Sequence, residues 1–371
     1  MKRSLGLVLA GCAVIAGCSS ASTSDSSYPN SEPQNAGRGY ENAGTPGSSG
    51  SSGGSSSGSP GDPVPPQGDP GSTPSPQVGK LTAGVWDDNL NYDFFAKYLG
   101  KSQGMAGLSI FGPADRDAAH QRAIAASTAK TGLDITLLLD TTSSMGDELT
   151  FLQNEFRAIA ATVKTKFPQV TPRFGLVLYR DHQDQYLTRP FPFTTDVSTF
   201  ATNLAEQSAN GGGDIPEAVP EGLEAGVGLE WRTTDDVARV MFWVADAPQH
   251  AGEEGKVRTA TIAAQQKGIK IYPVASSGVD AAAELTMRSA AQYTGGRYVF
   301  LTDDSGIGNP HAEPHIPCYV VTPLQGAIVR MVESEMNGTR AEPAATDIIR
   351  TVGDPKDGKC TMKDSSEVVL Y

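Results

Sequence analysis

The chain has 371 residues, of which 29 are basic and 42 are acidic, and its formal net charge at pH 7 is −13. This length allows one large domain or two small ones. Because so acidic a chain repels phosphate backbones, the charge argues against nucleic acid as a partner and favours divalent cations or basic protein surfaces.

Residues 1–18 are typical of a bacterial export signal. A basic start is followed by an uncharged apolar stretch, residues 4–17, that is too short to remain as a membrane-spanning helix. The stretch ends in Ile15-Ala16-Gly17-Cys18, which resembles the lipobox at which a cysteine becomes the lipidated first residue. Cys12 fits the same pattern but leaves a shorter apolar core. We predict lipidation at Cys18, with Cys12 or an unlipidated secretory signal as alternatives.

Residues 19–78 are predicted to form a flexible tether. This segment is dominated by Ser, Gly and Pro, and it cannot bury enough apolar surface to offset the entropy lost on ordering. About sixty such residues span roughly 45 Å, which would lift a domain clear of a membrane surface. Ser19 after the cysteine resembles lipoproteins sent to the outer membrane. We therefore expect a lipid-anchored protein of the cell envelope, in the outer membrane where the organism has one.

Residues 79–130 are predicted to be an extension that packs on the main domain. Residues 81–99 are rich in aromatic side chains, as expected of a segment that docks on a core. Asp87 and Asp88 within them favour a turn over a calcium site, because the spaced oxygen ligands and glycine of an EF-hand loop are absent.

Strand and helix patterns alternate along residues 131–336. Short apolar runs typical of buried strands lie at 134–139, 173–179, 240–245, 269–275 and 298–301. Helices are predicted at 145–163, 218–228, 256–267, 279–293 and 319–336. This alternation predicts an α/β fold: a doubly wound, mostly parallel sheet with helices on both faces. Pro273 indicates an edge or a bulge in its strand.

Oxygen-bearing side chains follow three of the predicted strands. Asp140, Asp181 and Asp246 each come at or just after the end of a strand. Ligands of parallel sheets bind beyond the carboxyl ends of the strands, so these side chains point to a site there. Thr142 and Ser144 add two hydroxyls in the turn after Asp140, although either could instead cap the next helix. Hard oxygen donors favour Mg²⁺, with Ca²⁺ or Mn²⁺ as alternatives.

These residues resemble the metal-ion-dependent adhesion site of the von Willebrand factor A family. The family pattern is Asp-x-Ser-x-Ser after the first strand, a Thr in a second loop and an Asp after the fourth strand. Asp140, Thr142 and Ser144 match the first element, and Asp246 matches the last. The resemblance covers about residues 130–336 and is strongest to bacterial and alpha-kinase-linked members. It implies a domain that binds a protein or matrix ligand through a divalent cation.

One position departs from the family pattern. In Gly211-Gly-Gly-Asp214-Ile-Pro-Glu217, Asp214 stands where most adhesive members carry Thr. A third carboxylate would hold the ion more tightly and leave it less attractive to an acidic ligand. Alternatively, Asp214 caps its own helix, with Pro216 and Glu217 in the first turn. We predict that Asp214 contacts the metal.

The sequence favours a binding module over an enzyme. His182 and His250 lie near the expected metal face, which leaves a metal-dependent hydrolase as one alternative. The chain has no Ser-centred nucleophile elbow, Walker loop or His-Glu-x-x-His zinc motif. A second alternative is a divalent ion with a purely structural role in an envelope assembly.

Cys318 and Cys360 are the cysteines that remain after the predicted signal is removed. Two cysteines in an exported protein favour a disulfide over a metal or catalytic pair. The loop between them is long, so a bond would stabilise the fold by about 4 kcal/mol on the chain-entropy estimate. Residues 337–371, which include Cys360, are predicted to form a C-terminal extension.

Overall fold

The computed structural model describes residues 80–101, 110–213 and 215–370. The predicted signal and tether, 1–18 and 19–78, lie outside the described residues, as do Cys12, Cys18 and Asp214. In the described part of the chain, no helix combines the length and apolar character needed to cross a membrane.

A nine-stranded sheet organises the described residues. Its strands in chain order are β1 (Thr82–Trp86), β2 (Gly132–Asp140), β3 (Arg173–Tyr179), β4 (Thr188–Thr194), β5 (Val237–Ala245), β6 (Ile269–Ala275), β7 (Tyr298–Thr302), β8 (Tyr319–Pro323) and β9 (Arg350–Val352). Across the sheet they run in the order β4-β3-β2-β5-β6-β7-β1-β8-β9. The five neighbouring strands β3, β2, β5, β6 and β7 are parallel to one another. The remaining neighbouring pairs in the sheet are antiparallel. Two further strands, β10 (Lys359–Thr361) and β11 (Glu367–Val369), form a small antiparallel sheet.

Helices flank this sheet. Those in the described residues are α1 (Tyr92–Lys101), α2 (Pro113–Ile124), α3 (Gly146–Lys166), α4 (Val197–Ala205), α5 (Val219–Gly228), α6 (Glu254–Gln266), α7 (Ala281–Thr294) and α8 (Leu324–Asn337). The apolar sides of α3, α4 and α8 pack in one hydrophobic core, and those of α5, α6 and α7 pack in another. The predicted doubly wound α/β fold is therefore confirmed.

The two cores lie on opposite faces of the sheet. In β2, Leu137 and Leu139 belong to one core and Leu138 to the other, because successive strand side chains point to opposite faces. All nine residues of β2 and all nine of β5 are buried, as expected of central parallel strands covered on both sides. Each buried leucine contributes roughly 1.5–3 kcal/mol relative to an exposed one. These two strands form the rigid base beneath the site.

Three sequence-based expectations need correction. Residues 319–323, predicted as the start of the last helix, form β8, and the helix begins at Leu324. The run Tyr-Val-Val-Thr-Pro is rich in β-branched side chains and pairs with β1, a distant partner that local periodicity does not reveal. Residues 82–86, predicted only to pack on the domain, enter its sheet between β7 and β8.

Pro273 lies in β6, an interior strand, and the prediction of an edge at this residue was wrong. The physical reason is the register of the ladder. The pairing of β6 with β7 covers only Val274 and Ala275, so the missing proline N–H breaks no bond on that side.

A disulfide joins Cys318 and Cys360, whose Cα atoms lie 6.4 Å apart. This bond ties the small β10–β11 sheet to the start of β8.

Candidate metal centre

The turn after β2 gathers one carboxylate and two hydroxyls. Asp140 is fully buried, and its Oδ1 accepts hydrogen bonds from the backbone N–H (2.9 Å) and the hydroxyl (2.8 Å) of Thr142. The Thr142 and Ser144 hydroxyl oxygens lie 3.2 Å apart. Thr142 precedes the short 3₁₀ turn Ser143–Met145 without capping it through its side chain. The hydroxyl is therefore directed to the carboxylate and not to the next helix.

Asp246 reaches the same place from β5. The parallel ladder pairs Leu139 of β2 with Val244 of β5, so the residues that follow both strands emerge side by side. Asp246 is 6 % exposed, and its charge acts directly on Asp140. The ends of these two neighbouring strands thus present two buried carboxylates to each other.

A third buried carboxylate, Glu217, was missed as a site residue in the sequence. In the alternative in which Asp214 caps its own helix, Glu217 would lie in the first turn, but α5 begins at Val219 and leaves Glu217 in the preceding loop. Its backbone N–H donates to the Pro248 carbonyl at 2.9 Å, which fixes the loop beside the strand end that carries Asp246. Glu217 is 2 % exposed. The Gly-Gly-Gly-Asp-x-Pro-Glu motif was the available signal, but the route of its loop is set by tertiary contacts.

The glycine-rich loop must approach the site closely. Gly212 has a φ of 69°, in the left-handed region, and a Cβ there would lie 3.1 Å from Glu217 Oε1 and 3.2 Å from Thr142 Cβ. Glycine alone meets both requirements at low cost. Asp214, two residues later, lies outside the described residues, so its contact with a metal stays a prediction.

The supporting loops are joined by backbone and arginine hydrogen bonds. The N–H of Ser143 donates to the Gly211 carbonyl at 3.2 Å, and the N–H of Asn210 donates to the Thr141 carbonyl at 3.0 Å. The buried Arg180 guanidinium donates to the carbonyl oxygens of Thr141 (3.1 Å) and Ser208 (2.8 Å). The turn after β2 and the glycine loop are therefore held in a fixed arrangement before any ion binds.

The pKa values of all three carboxyl groups are raised. Burial, followed by the charge of Asp246, raises the pKa of Asp140 to about 7. Burial also raises the pKa of Asp246 to about 6, although a hydrogen bond from Ser144 lowers it. For Glu217, burial and then the charge of Asp140 raise the pKa to about 9. Desolvation and mutual repulsion both oppose the charged forms, and a nearby cation would relieve both.

The donor set fits a divalent cation. Asp140 Oδ2, Asp246 Oδ1 and Glu217 Oε2 are buried and have no hydrogen-bond partner among the described residues. Burying carboxylate oxygens without a hydrogen-bond partner costs free energy. A bound cation would remove this cost by accepting their lone pairs. The donors are all oxygens, which suits Mg²⁺, Mn²⁺ or Ca²⁺ better than softer metals.

Asp181, the third aspartate predicted at a strand end, pairs with a histidine. Asp181 lies close enough to raise the pKa of Glu217, but its Oδ1 pairs with His250 Nε2 at 2.6 Å. The rings of His182 and His250 have their centroids 5.2 Å apart. The structure thus places both predicted histidines at the same rim of the sheet, beside the oxygen-lined centre.

Comparison with known proteins agrees with this architecture. A sequence profile for the von Willebrand factor A domain matches residues 134–307. The chain contains a von Willebrand factor A domain. Domains of this family commonly bind a divalent metal and mediate protein–protein interactions.

The chain is also similar to parts of two larger proteins. It is 28% identical over 141 residues to alpha-protein kinase vwkA from Dictyostelium discoideum, which is 38% of this chain and 22% of that protein. It is 25% identical over 118 residues to a putative ariadne-like RING finger protein, R811, from Acanthamoeba polyphaga mimivirus, which is 32% of this chain and 11% of that protein. The chain therefore spans well under a third of either relative.

Among solved structures, the chain matches the conserved hypothetical protein BatB from Bacteroides thetaiotaomicron. The TM-score is 0.40 with 16% sequence identity, over 55% of this chain and 98% of that chain.

Proposed function

We propose that this protein is a cell-envelope lipoprotein whose von Willebrand factor A domain captures a protein or matrix ligand through a divalent cation, with Mg²⁺ as the preferred ion. The residues that would hold the ion are Asp140, Thr142, Ser144 and Asp246, together with Glu217, and Asp214 is predicted to join them.

The observation that carries this proposal is the group of unpaired carboxylate oxygens at the ends of β2 and β5. Three buried oxygens, on Asp140, Asp246 and Glu217, lack a hydrogen-bond partner among the described residues. Protonation would satisfy some of them, and the raised pKa values of Asp140 and Glu217 reflect the cost of keeping the charged forms buried without a cation. A cation satisfies them together and cancels their repulsion.

A bound divalent cation would supply a Lewis-acidic contact for an acidic group of a partner. The strength of that contact depends on how much of the ion's charge the protein neutralises. Glu217 adds a carboxylate that the sequence-based site did not include, so this domain would hold its ion firmly and attract an acidic ligand more weakly. Contacts from the surrounding loops would then provide more of the partner affinity.

We also infer that the protein is not an enzyme. One arrangement resembles a hydrolase triad: Ser277 Oγ lies 3.3 Å from His311 Nε2, and His311 Nδ1 lies 2.9 Å from Asp303 Oδ1. The Ser277 hydroxyl is buried, however, and also contacts the Glu148 carboxylate and the Asn309 carbonyl oxygen.

Both ring nitrogens of the histidine in this arrangement face carboxylates: His311 Nε2 lies 3.2 Å from Glu148 Oε1, and Nδ1 lies 2.9 Å from Asp303 Oδ1. Burial lowers the pKa of His311, but Glu148 and Asp303 outweigh burial and raise it overall. The two carboxylates therefore favour the imidazolium form of His311 and hold its ring in place. We assign the network to holding the loop after β7 against α3.

The proposal is tested by ligand capture from the producing organism's envelope, with the purified full chain in Mg²⁺ or in EDTA. Capture should require Mg²⁺, be lost in Asp140→Ala and persist in Asp354→Ala. The control residue is an exposed aspartate in the loop between β9 and β10. A purely structural ion predicts the opposite pattern: Mg²⁺ would raise the melting temperature, but the captured proteins would not change with chelator.

The membrane anchor is tested separately, because it rests on the sequence of residues 1–18. Cys18→Ser should move the protein from the membrane fraction to the soluble fraction, because one acylated cysteine carries the anchoring chains. Cys12→Ser is the matched control and should leave the protein in the membrane fraction. The reverse result would assign the anchor to Cys12.

A further inference from the structure

A cluster of nitrogen and oxygen ligands lies beside the oxygen-lined centre. Asp181 and His182 follow β3, and His250 lies in the loop between β5 and α6. Their potential ligand atoms all lie within 4.8 Å of one another. Asp181 is buried and pairs with His250, whereas His182 is exposed and the His250 side chain is 25% exposed. The cluster is therefore assembled on a fixed base and open to ions from solvent.

Two glutamates extend the cluster on its outer side. Glu221 of α5 and Glu253 before α6 each place a ligand atom within 4.8 Å of one on His182. Lys256 Nζ lies 3.4 Å from Glu221 Oε1 and 2.5 Å from Glu253 Oε1. The second carboxylate oxygen of each glutamate is buried without a hydrogen-bond partner among the described residues. A single lysine thus neutralises only part of the negative charge of these two glutamates.

We propose that Asp181, His182 and His250 form a second cation site, specific for divalent ions that prefer imidazole nitrogen, with Zn²⁺ as the representative ion. Two imidazoles and one carboxylate are a ligand set that suits Zn²⁺ and its neighbours, whereas Mg²⁺ prefers oxygen alone. The ion takes the place of the proton that joins His250 Nε2 to Asp181 Oδ1. Three protein ligands leave a position open for water, one of the two glutamates or a partner's side chain.

This site is chemically distinct from the centre at Asp140. The two share the rim of the sheet, since Asp181 lies close enough to Glu217 to affect its pKa, but they share none of the ligands assigned to them. The type of ligand atom determines which ion each site prefers. The oxygen ligands favour Mg²⁺, and the histidine nitrogens favour Zn²⁺. The domain would therefore present two cations of different kind on one ligand-binding face.

The test is calorimetric titration of the full chain with Zn²⁺ in saturating Mg²⁺. We expect one zinc ion to bind, and the double variant His182→Gln/His250→Gln to weaken binding at least about 100-fold. His120→Gln is the matched control, because His120 stacks on Tyr92 outside both clusters, and it should bind zinc as the unmodified chain does. Co²⁺ should show the visible spectrum of a nitrogen-ligated ion in the chain and lose it in the double variant.

Two further arms separate this site from the proposed function. Asp140→Ala should lose Mg²⁺ binding and keep zinc binding. The single variant His182→Gln changes an exposed side chain, so it tests the site without disturbing the fold. Equal zinc affinity in the unmodified chain and both histidine variants would overturn the proposal, as would loss of zinc binding in Asp140→Ala or no zinc binding at all.

Discussion

Replacing Asp140 with Asn should stabilise the metal-free protein while abolishing its metal binding. Asp140 is fully buried, and its pKa is raised from 3.8 to about 7, with burial as the main cause and the charge of Asp246 as the second. A shift of this size, at 1.36 kcal/mol per unit, corresponds to about 4 kcal/mol of stability. Asparagine cannot ionise, so the variant escapes that cost.

The sign of the effect follows from proton linkage. The folded state binds the Asp140 proton more tightly than the unfolded state, so the cost is absent below pH 3.8, grows as the pH rises and is complete above about pH 7. In EDTA at about pH 8, Asp140→Asn should therefore unfold at a higher urea concentration than the unmodified chain. At about pH 4 the difference should be small.

Metal should reduce this difference in stability. Magnesium at 100 times its dissociation constant adds about 2.7 kcal/mol to the unmodified chain and nothing to a variant that cannot bind it. The advantage of Asp140→Asn in EDTA should thus shrink or disappear in Mg²⁺. If the variant is no more stable than the unmodified chain in EDTA at high pH, the cost assigned to the buried carboxylate is wrong.

Three other substitutions test separate parts of the account. Glu217→Gln should weaken Mg²⁺ binding at least about tenfold by calorimetry, since it removes a buried charge from the site; unchanged affinity would exclude Glu217. Asp134→Ala should cost about 1.5–3 kcal/mol in urea denaturation, because it removes the buried carboxylate that accepts hydrogen bonds from two partly exposed arginines; a loss below about 1 kcal/mol would contradict this. His311→Gln should destabilise the fold most below pH 6.5 and progressively less as the pH rises through the raised pKa; a loss that does not change with pH would refute the imidazolium assignment.

Most elements of the sheet's centre were predictable from local pattern. Strands at 173–179 and 269–275 were predicted with the bounds that the structure gives, because each is a short, mostly apolar run between turns. The long helix α3 was predicted to begin within one residue of its start, from apolar residues at steps of three and four. These signals are local and strong, so the α/β class followed from them.

The edges of the sheet were not predictable in the same way. Strand β4 contains Pro190 and Pro192, which hide a strand pattern but are tolerated because β4 is an edge. Strand β1 pairs with β7, more than 200 residues away, and no local feature announces so distant a partner. Both failures come from tertiary pairing that periodicity does not encode.

The residues of the candidate metal centre were also predictable only where local sequence places them together. Asp140, Thr142 and Ser144 lie within one turn, so their spacing alone predicts that they meet, and Asp246 follows the neighbouring parallel strand. Glu217 reaches the centre through a loop whose path depends on its hydrogen bond to the Pro248 carbonyl and on the close approach at Gly212. Sequence reasoning finds ligands at strand ends more readily than ligands on loops.

Whether a divalent cation binds at the ends of β2 and β5 can be seen in a crystal structure of the protein grown with Mn²⁺, with the ion located by its anomalous scattering. We predict one strong peak in contact with the oxygens of Asp140, Ser144 and Asp246. A manganese ion bound only elsewhere, or these three side chains ordered with no ion between them, would contradict it.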